Sequence, residues 1–267
     1  MDKQTIIFNL DDTLIHCNKY FNAAIAQFAE RMSEWFDGVT VYAAKEKQLE
    51  LDLISVQKNG LTIEHFPQSF VDVYRYYAKE RGQEPEADRI KQLTELGYSV
   101  FETPVEPLPD LYLTLERLKH EGHDLYVHTG GDERNQLRKI AQLELGVYFE
   151  TRIFVSLHKD TEALRKMLDS IQPDIRNTWM VGNSVRTDII PGLELGVNTI
   201  YIPAESEWQY NVLDITIEPK AAYMTLDTLK EVPGAIYTYL LTREADEDRG
   251  KLPYRDVETA AWDYTPL

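Results

Sequence analysis

Cysteine is nearly absent from this chain: Cys17 is the single thiol in 267 residues. An intramolecular disulfide is therefore excluded, and the composition suits a reducing compartment. Basic charge is scarce, with 28 Lys and Arg against 45 Asp and Glu, a net charge of −17. Nucleic acid and anionic membrane surfaces both require a basic footprint, so neither is expected as a partner. No apolar run approaches the roughly 20 residues of a membrane-spanning helix. Met1-Asp2-Lys3 leads straight into an apolar strand, so no leader is visible and a cytoplasmic location is expected. Internal repeats and low-complexity linkers are also missing. The 43% hydrophobic content suits a packed soluble protein, and the length suits a core domain with a smaller insert.

The hydrophobic pattern divides the chain. Thr5 to Leu10 is continuously apolar, as in a parallel strand covered on both faces. Phe21, Ile25, Phe28, Met32 and Trp35 then fall at helical spacing. A second helix is expected from about Pro67, carrying Phe70, Val73 and Tyr77. Helical segments over 43–58 and 86–97 flank it. Residues 16–102 contain no convincing strand series and read as an all-helical insertion. Beyond it, strands and helices alternate. Strands are expected at Asp124–Thr129, Arg152–Val155, Thr178–Val181, Thr199–Ile202 and Asp214–Ile217. Between them lie a helix after Pro109 ending at Gly122, one capped by Asp132 and closed by Gly146, one carrying Leu164 to Ile171, and one ending at Gly196. Such alternation predicts an α/β fold with a doubly wound parallel sheet, whose ligands sit at the carboxyl ends of the strands. The expected domains are a core of 1–15 and 103–242, a helical cap of 16–102 and an acidic tail of 243–267. Tyr254, Trp262 and Tyr264 of the tail are candidates to dock on the core.

Four groups of residues fall at strand ends: Asn9-Leu10-Asp11-Asp12-Thr13, Thr129-Gly130-Gly131, Lys159, and Asn183 with Asp188. In this order and placement they resemble the four motifs of the haloacid dehalogenase superfamily, in its phosphatase branch with a helical insertion cap. The resemblance covers roughly 1–15 and 103–218. Each motif alone is weak; four in order make the signal strong.

The resemblance implies magnesium-dependent hydrolysis of a small phosphomonoester through an aspartyl-phosphate. It places Asn9 where the family has its nucleophilic Asp. Asp11 takes the acid/base position that protonates the leaving oxygen and later activates water. Thr129 with the amides of Gly130 and Gly131 would bind phosphate, and Lys159 would neutralise it. Asn9, Asp11 (through its carbonyl), Asn183 and Asp188 would complete the Mg²⁺ site. Asp11 also favours phosphatase over dehalogenase chemistry, because dehalogenases of the family lack this acid.

Two positions depart from the pattern. Asn183 replaces an acid, a mild change because an amide oxygen can ligate a metal. Asn9 is the severe one. A carboxamide oxygen is a very poor nucleophile, and loss of a catalytic nucleophile costs on the order of 10⁴-fold or more in rate. A neutral amide also removes a repulsion against incoming phosphate. The chain as written is thus expected to bind phosphate esters without turning them over, Asn9 being an introduced change in an active phosphatase. The alternative is a naturally silent phosphate-ester binder or regulatory protein. A phosphomutase or dehalogenase is the weaker alternative. The cap disfavours a bulky protein substrate, leaving a small phosphorylated metabolite. His16, His128 and His158 share no metal-ligand spacing and read as structural or rim residues. Cys17 reads as a packed side chain, Arg186 as a surface residue.

Overall fold

The computed structural model describes residues 2–248. Strand β1 (Thr5–Phe8) is followed by four helices, α1 (Asn18–Trp35), α2 (Val41–Asn59), α3 (His65–Glu80) and α4 (Ala87–Glu102). Then come α5 (Leu111–His120), β2 (Asp124–Gly130), α6 (Glu133–Gln142), α7 (Gly146–Phe149), β3 (Ile153–Ser156) and α8 (Thr161–Ile171). The described part ends with β4 (Thr178–Gly182), α9 (Ile190–Leu195), β5 (Asn198–Tyr201), β6 (Tyr223–Thr225) and α10 (Val232–Asp248).

The six strands form one sheet in the order β3-β2-β1-β4-β5-β6, and every pair is parallel. The α/β doubly wound class expected from the alternation is the one observed. The order reverses beside β1, whose two neighbours are β2 and β4: the chain winds outward to β3 on one side and to β6 on the other. The tips of β1 and β4 therefore flank the crevice where such sheets hold ligands.

The unbroken apolar run of β1 is explained by both of its faces. Ile6 and Phe8 pack with Leu111, Leu115, Leu118, Ile236 and Leu240, so α5 and α10 cover one side. Ile7 points the other way, onto Leu164, Met167, Leu168 and Met180, so α8 covers the second. Each fully buried side chain of this kind contributes about 1.5–3 kcal/mol over its exposed state.

Helices α1–α4 build a second core. Phe28, Met32, Phe70, Val73 and Tyr74 are buried together, and Phe21, Ile25, Trp35 and Tyr77 close its edge. Phe28 and Phe70 stack with ring centroids 4.3 Å apart. The insertion touches the sheet domain near its strand tips. The Leu61 amide donates to the Leu157 carbonyl at 2.8 Å. Asn18 and Asn22 both donate to Ser206, at 2.8 Å each.

Several elements differ from expectation. No strand forms at 214–217; these residues alternate between exposed and half-buried in an irregular segment, and the sixth strand is Tyr223–Thr225. The short alternation at 214–217 matched a strand pattern but had no sheet edge to join, because Ala222 already delivers its carbonyl to Thr199. Gly146 opens the short α7 rather than closing α6. Helix α10 was not foreseen. It carries the chain through Asp248, so the first six residues of the expected tail are helical. Tyr254, Trp262 and Tyr264 lie outside the described residues. No described helix is long and apolar enough to cross a membrane.

Asp52 lies buried on α2. It sits between two polar links to α3, Gln48 to Ser69 at 2.9 Å and Ser55 to His65 at 2.7 Å. Burial raises its carboxyl pKa to about 7. A carboxyl raised in the fold holds its proton where the unfolded chain has lost it. Stability therefore falls as pH rises from about 4 to 7. Asp52→Asn is expected to remove this slope and to stabilise the protein at pH 8 by roughly 2–4 kcal/mol. Urea melts of both forms at pH 4.5 and pH 8 check it; an equal gain at both pH values refutes the burial argument.

Candidate active site

The first strand ends by placing Asn9 in the crevice. Its amide N–H donates to the Val181 carbonyl of β4 at 2.8 Å, which fixes the backbone before the side chain is considered. The next residues turn back sharply. Leu14 and Ile15 both donate to the Leu10 carbonyl, and Asp12 takes a positive φ of 54°. In that turn the Asp12 carboxylate accepts from the amides of Cys17 and Asn18 at 2.9–3.1 Å. It caps α1 from outside the helix and ties the insertion to the motif. Burial, reinforced by Asp11 and Glu207 and opposed by the two amides, lifts its pKa to about 7.

Lys159 enters from the loop after β3 with its side chain 2% exposed. Its ammonium donates to Asn9 Oδ1 at 2.8 Å and forms an ion pair with Asp188, which is fully buried. Asp188 also accepts from the Ser184 amide at 2.9 Å. Its carboxylate lies against Gly182, where an added Cβ would fall 2.2 Å from Oδ2. Gly182 is thus required by close approach. The helical turn Val185–Ile189 that carries Asp188 is capped by Ser184, which accepts from the Thr187 amide at 3.1 Å.

The orientation of the Asn9 carboxamide follows from its partners. Lys159 only donates, so the oxygen must face it. The Asn9 amide nitrogen then donates to the Asp11 carbonyl at 2.6 Å and to Asn183 Oδ1 at 2.8 Å, with Thr13 Oγ1 at 3.2 Å. Asn183 is turned the same way by Glu207, which accepts from Asn183 Nδ2 at 3.3 Å and from the Ala204 amide at 2.7 Å.

Asp11 is engaged from α6. Lys139 Nζ lies 2.7 and 2.9 Å from its two oxygens, and Gln136 donates to it at 2.9 Å. Burial alone would raise the Asp11 pKa; the Lys139 ammonium and the donors from Lys139 and Gln136 outweigh it and hold the carboxyl below its ordinary value. Gln136 also donates to Thr129 Oγ1 at 2.6 Å and to the Gly130 carbonyl at 3.0 Å.

Asn9, Asp11, Thr129, Gly130, Lys159, Asn183 and Asp188 are therefore brought together at the strand tips. Gly131 requires a correction: its amide donates to the Ser156 carbonyl at 3.0 Å, which leaves it unavailable to a ligand. Its φ of 139° still serves the turn into α6. Leu61 of the insertion covers the neighbouring glycine, with a Cβ on Gly130 falling 2.6 Å from Leu61 Cδ1. His128 is buried, 3.2 Å from Ser156 Oγ, and is held neutral with its pKa lowered to about 3 by burial and by Lys159. Arg186 packs on Tyr210, donating to its carbonyl at 2.6 Å.

Lys139, Gln136 and Glu207 were missed in the sequence. Gln136 and Lys139 are three apart on a helix that starts directly after the phosphate-type loop, so they share one face toward it. That spacing was a usable signal. Glu207 carried none, because it sits in an irregular segment after β5.

The donor set fits magnesium poorly as it stands. Asp188 is the one carboxylate of the four expected ligands aimed inward, and Lys159 already neutralises it. The Asn9 nitrogen bonds two of the other oxygens. Among the described residues no group of three His, Cys, Asp or Glu is placed to hold a metal ion.

Known proteins share the sequence family and the fold. Residues 3–196 match the model of the haloacid dehalogenase-like hydrolases, and the chain belongs to that family. Among curated relatives it is 24% identical to a glyceraldehyde 3-phosphate phosphatase of Pyrococcus furiosus, over 92% of this chain and 96% of the relative. It is 23% identical to a ribulose-1,5-bisphosphate 5-phosphatase of Halopiger xanaduensis, over 86% and 98%. A haloacid dehalogenase-like hydrolase from Xanthomonas campestris shares the fold with a TM-score of 0.73 at 22% identity, covering 91% of this chain and 94% of that one. A second structural neighbour, the HAD-hydrolase YfnB of Bacillus subtilis bound to magnesium, matches at 0.61 and 18% identity, over 88% and 99%.

Removing the Lys139 charge tests the control of Asp11. In Lys139→Met, burial acts on the carboxyl unopposed by the ammonium, so its pKa is expected to rise above the ordinary Asp value. A ¹³C-detected NMR titration of the Asp11 carboxyl reads the shift. An unchanged Asp11 titration contradicts the assignment.

Proposed function

We propose that this site binds small phosphomonoesters and is that of a phosphatase whose first chemical step is withheld by Asn9. The observation that carries the reading is Lys159, a buried ammonium held between the oxygen of residue 9 and Asp188, with Thr129 on the adjoining strand tip. That is the charge and geometry a phosphoryl group needs. The phosphatase names of both curated relatives, with their small phosphorylated sugar substrates, support the substrate class. The helical insertion acts as a cap: Leu61 reaches over Gly130, which favours a small metabolite over a protein substrate. The lack of a basic surface excess and the single thiol support a cytoplasmic setting without nucleic-acid partners.

With a carboxylate at position 9 the chemistry is complete. One of its oxygens attacks phosphorus, the ester P–O bond breaks, and the leaving alkoxide takes a proton from Asp11. Water then attacks the acyl phosphate while Asp11 accepts its proton, the P–O bond to residue 9 breaks, and inorganic phosphate leaves. Lys159 offsets the negative charge throughout. Magnesium, which the family resemblance implies, belongs to that carboxylate form, where it would supply further charge neutralisation. In the present chain the first step fails for want of a nucleophile, and binding is what remains.

The state of Asp11 adds one condition. Lys139 favours its ionised form, which suits the water-activating step and opposes the proton-donating one. Ligand binding must loosen that pair before Asp11 can act as an acid.

A second reading, a site that is silent by nature, is favoured by one observation: both ends of the Asn9 amide are fully used by the protein. The two separate on Asn9→Asp. Assayed with magnesium and a panel of sugar phosphates, that form is expected to gain on the order of 10⁴-fold or more in phosphate release over the chain as it stands. No gain on any ester overturns the phosphatase reading and leaves the silent binder.

A further inference from the structure

We infer that the Asn9 amide nitrogen takes the place of the divalent cation in this chain, so that the site as it stands takes none up. Two oxygens converge on that nitrogen, the Asp11 carbonyl at 2.6 Å and Asn183 Oδ1 at 2.8 Å. These are two of the atoms the sequence resemblance assigns to a metal. An amide has two N–H bonds, and each is directed at one of them. A cation entering here meets a hydrogen where it needs a lone pair.

The rest of the arrangement repeats the point. The opposite end of the carboxamide, Oδ1, accepts from Lys159, so it too is taken. Asp188, the remaining anionic candidate, is neutralised by the same ammonium and held by the Ser184 amide. Asn183 cannot turn away without losing Glu207 from its nitrogen. A cation would have to break the Lys159–Asp188 pair, rotate Asn9 and strand its N–H groups, while gaining at most one carboxylate. Hard divalent cations are held chiefly by anionic oxygens and are reluctant to shed water. Both site carboxylates among the expected ligand residues are already paired, Asp188 with Lys159 and Asp11 with Lys139.

The same nitrogen performs a structural task. It joins the turn after β1 to the tip of β4 by hydrogen bonds that span 174 positions of the sequence. The fold at the crevice is thus expected to be insensitive to chelators.

The inference rests on the site described above but not on turnover, so its test uses the cation alone. Mn²⁺ is titrated into the full chain and into Asn9→Asp, with free Mn²⁺ read by electron paramagnetic resonance and no phosphate ester present. The chain as it stands is expected to show no binding below about 10 mM, and Asn9→Asp to bind at least roughly 10-fold more tightly. Sub-millimolar binding by the unaltered chain overturns the proposal, and so does an Asn9→Asp form that binds no better. A measurement on the unaltered chain guards against a variant that does not fold. Its melting temperature in 10 mM magnesium and in EDTA is expected to agree within about 1 °C; a clear rise with magnesium overturns the proposal. A failure of Asn9→Asp to hydrolyse esters would sink the phosphatase reading and leave these outcomes intact.

Discussion

The site depends on one buried ammonium. Lys159 has almost no contact with solvent, and a bare charge there would cost several kcal/mol. The fold supplies two oxygens of different character. Asp188 brings the countercharge and Asn9 brings a neutral acceptor. Everything else at the strand tips is arranged around that requirement. Gly182 is small so that Asp188 can lie against the backbone, Ser184 offers its amide to the far carboxylate oxygen, and Asn183 is turned by Glu207 to meet the Asn9 nitrogen. A second carboxylate at residue 9 would leave one negative charge in excess. The amide leaves none.

A parallel circuit runs on the other side of the crevice. Asp11 is paired with Lys139, and Gln136 spans Asp11, Thr129 and the Gly130 carbonyl. Neither circuit leaves a free charge, although the whole chain carries −17. A phosphorylated ligand therefore meets two lysines that are already engaged, with Glu207 beside Asn183, and its binding must draw on Lys159 and Lys139 by loosening their present partners.

Much of this was legible from residues alone. The unbroken apolar run before Asn9 identified a central strand because both of its faces are covered, one by α5 and α10 and the other by α8. Strand tips announced themselves as the places where apolar runs stop at polar or glycine residues. What escaped was whatever depends on three-dimensional return. Lys139 and Gln136 reach the crevice from a helix face whose direction only the fold reveals. Glu207 acts from an irregular segment. Asp12 caps α1 by accepting from the Cys17 and Asn18 amides, five and six residues further on, a role nothing in the motif announces. The misplaced strand at 214–217 shows the same limit. Alternation describes a segment that could pair, whereas pairing needs an open sheet edge, and Tyr223–Thr225 occupies it.

Leu61 and Gly130 form a steric couple across the two parts of the molecule. The leucine methyl occupies the volume that any side chain at 130 would claim, and Gly60, with φ of 80°, lets the backbone lie against Leu157 to bring it there. The size of one residue thus dictates the size permitted at the other, and drift at either position drags its counterpart along. A descendant of this chain with a larger group at 130 would be recognisable by a shortened side chain at 61, a correlated signature written into a strand tip and a loop that lie 69 positions apart in the sequence.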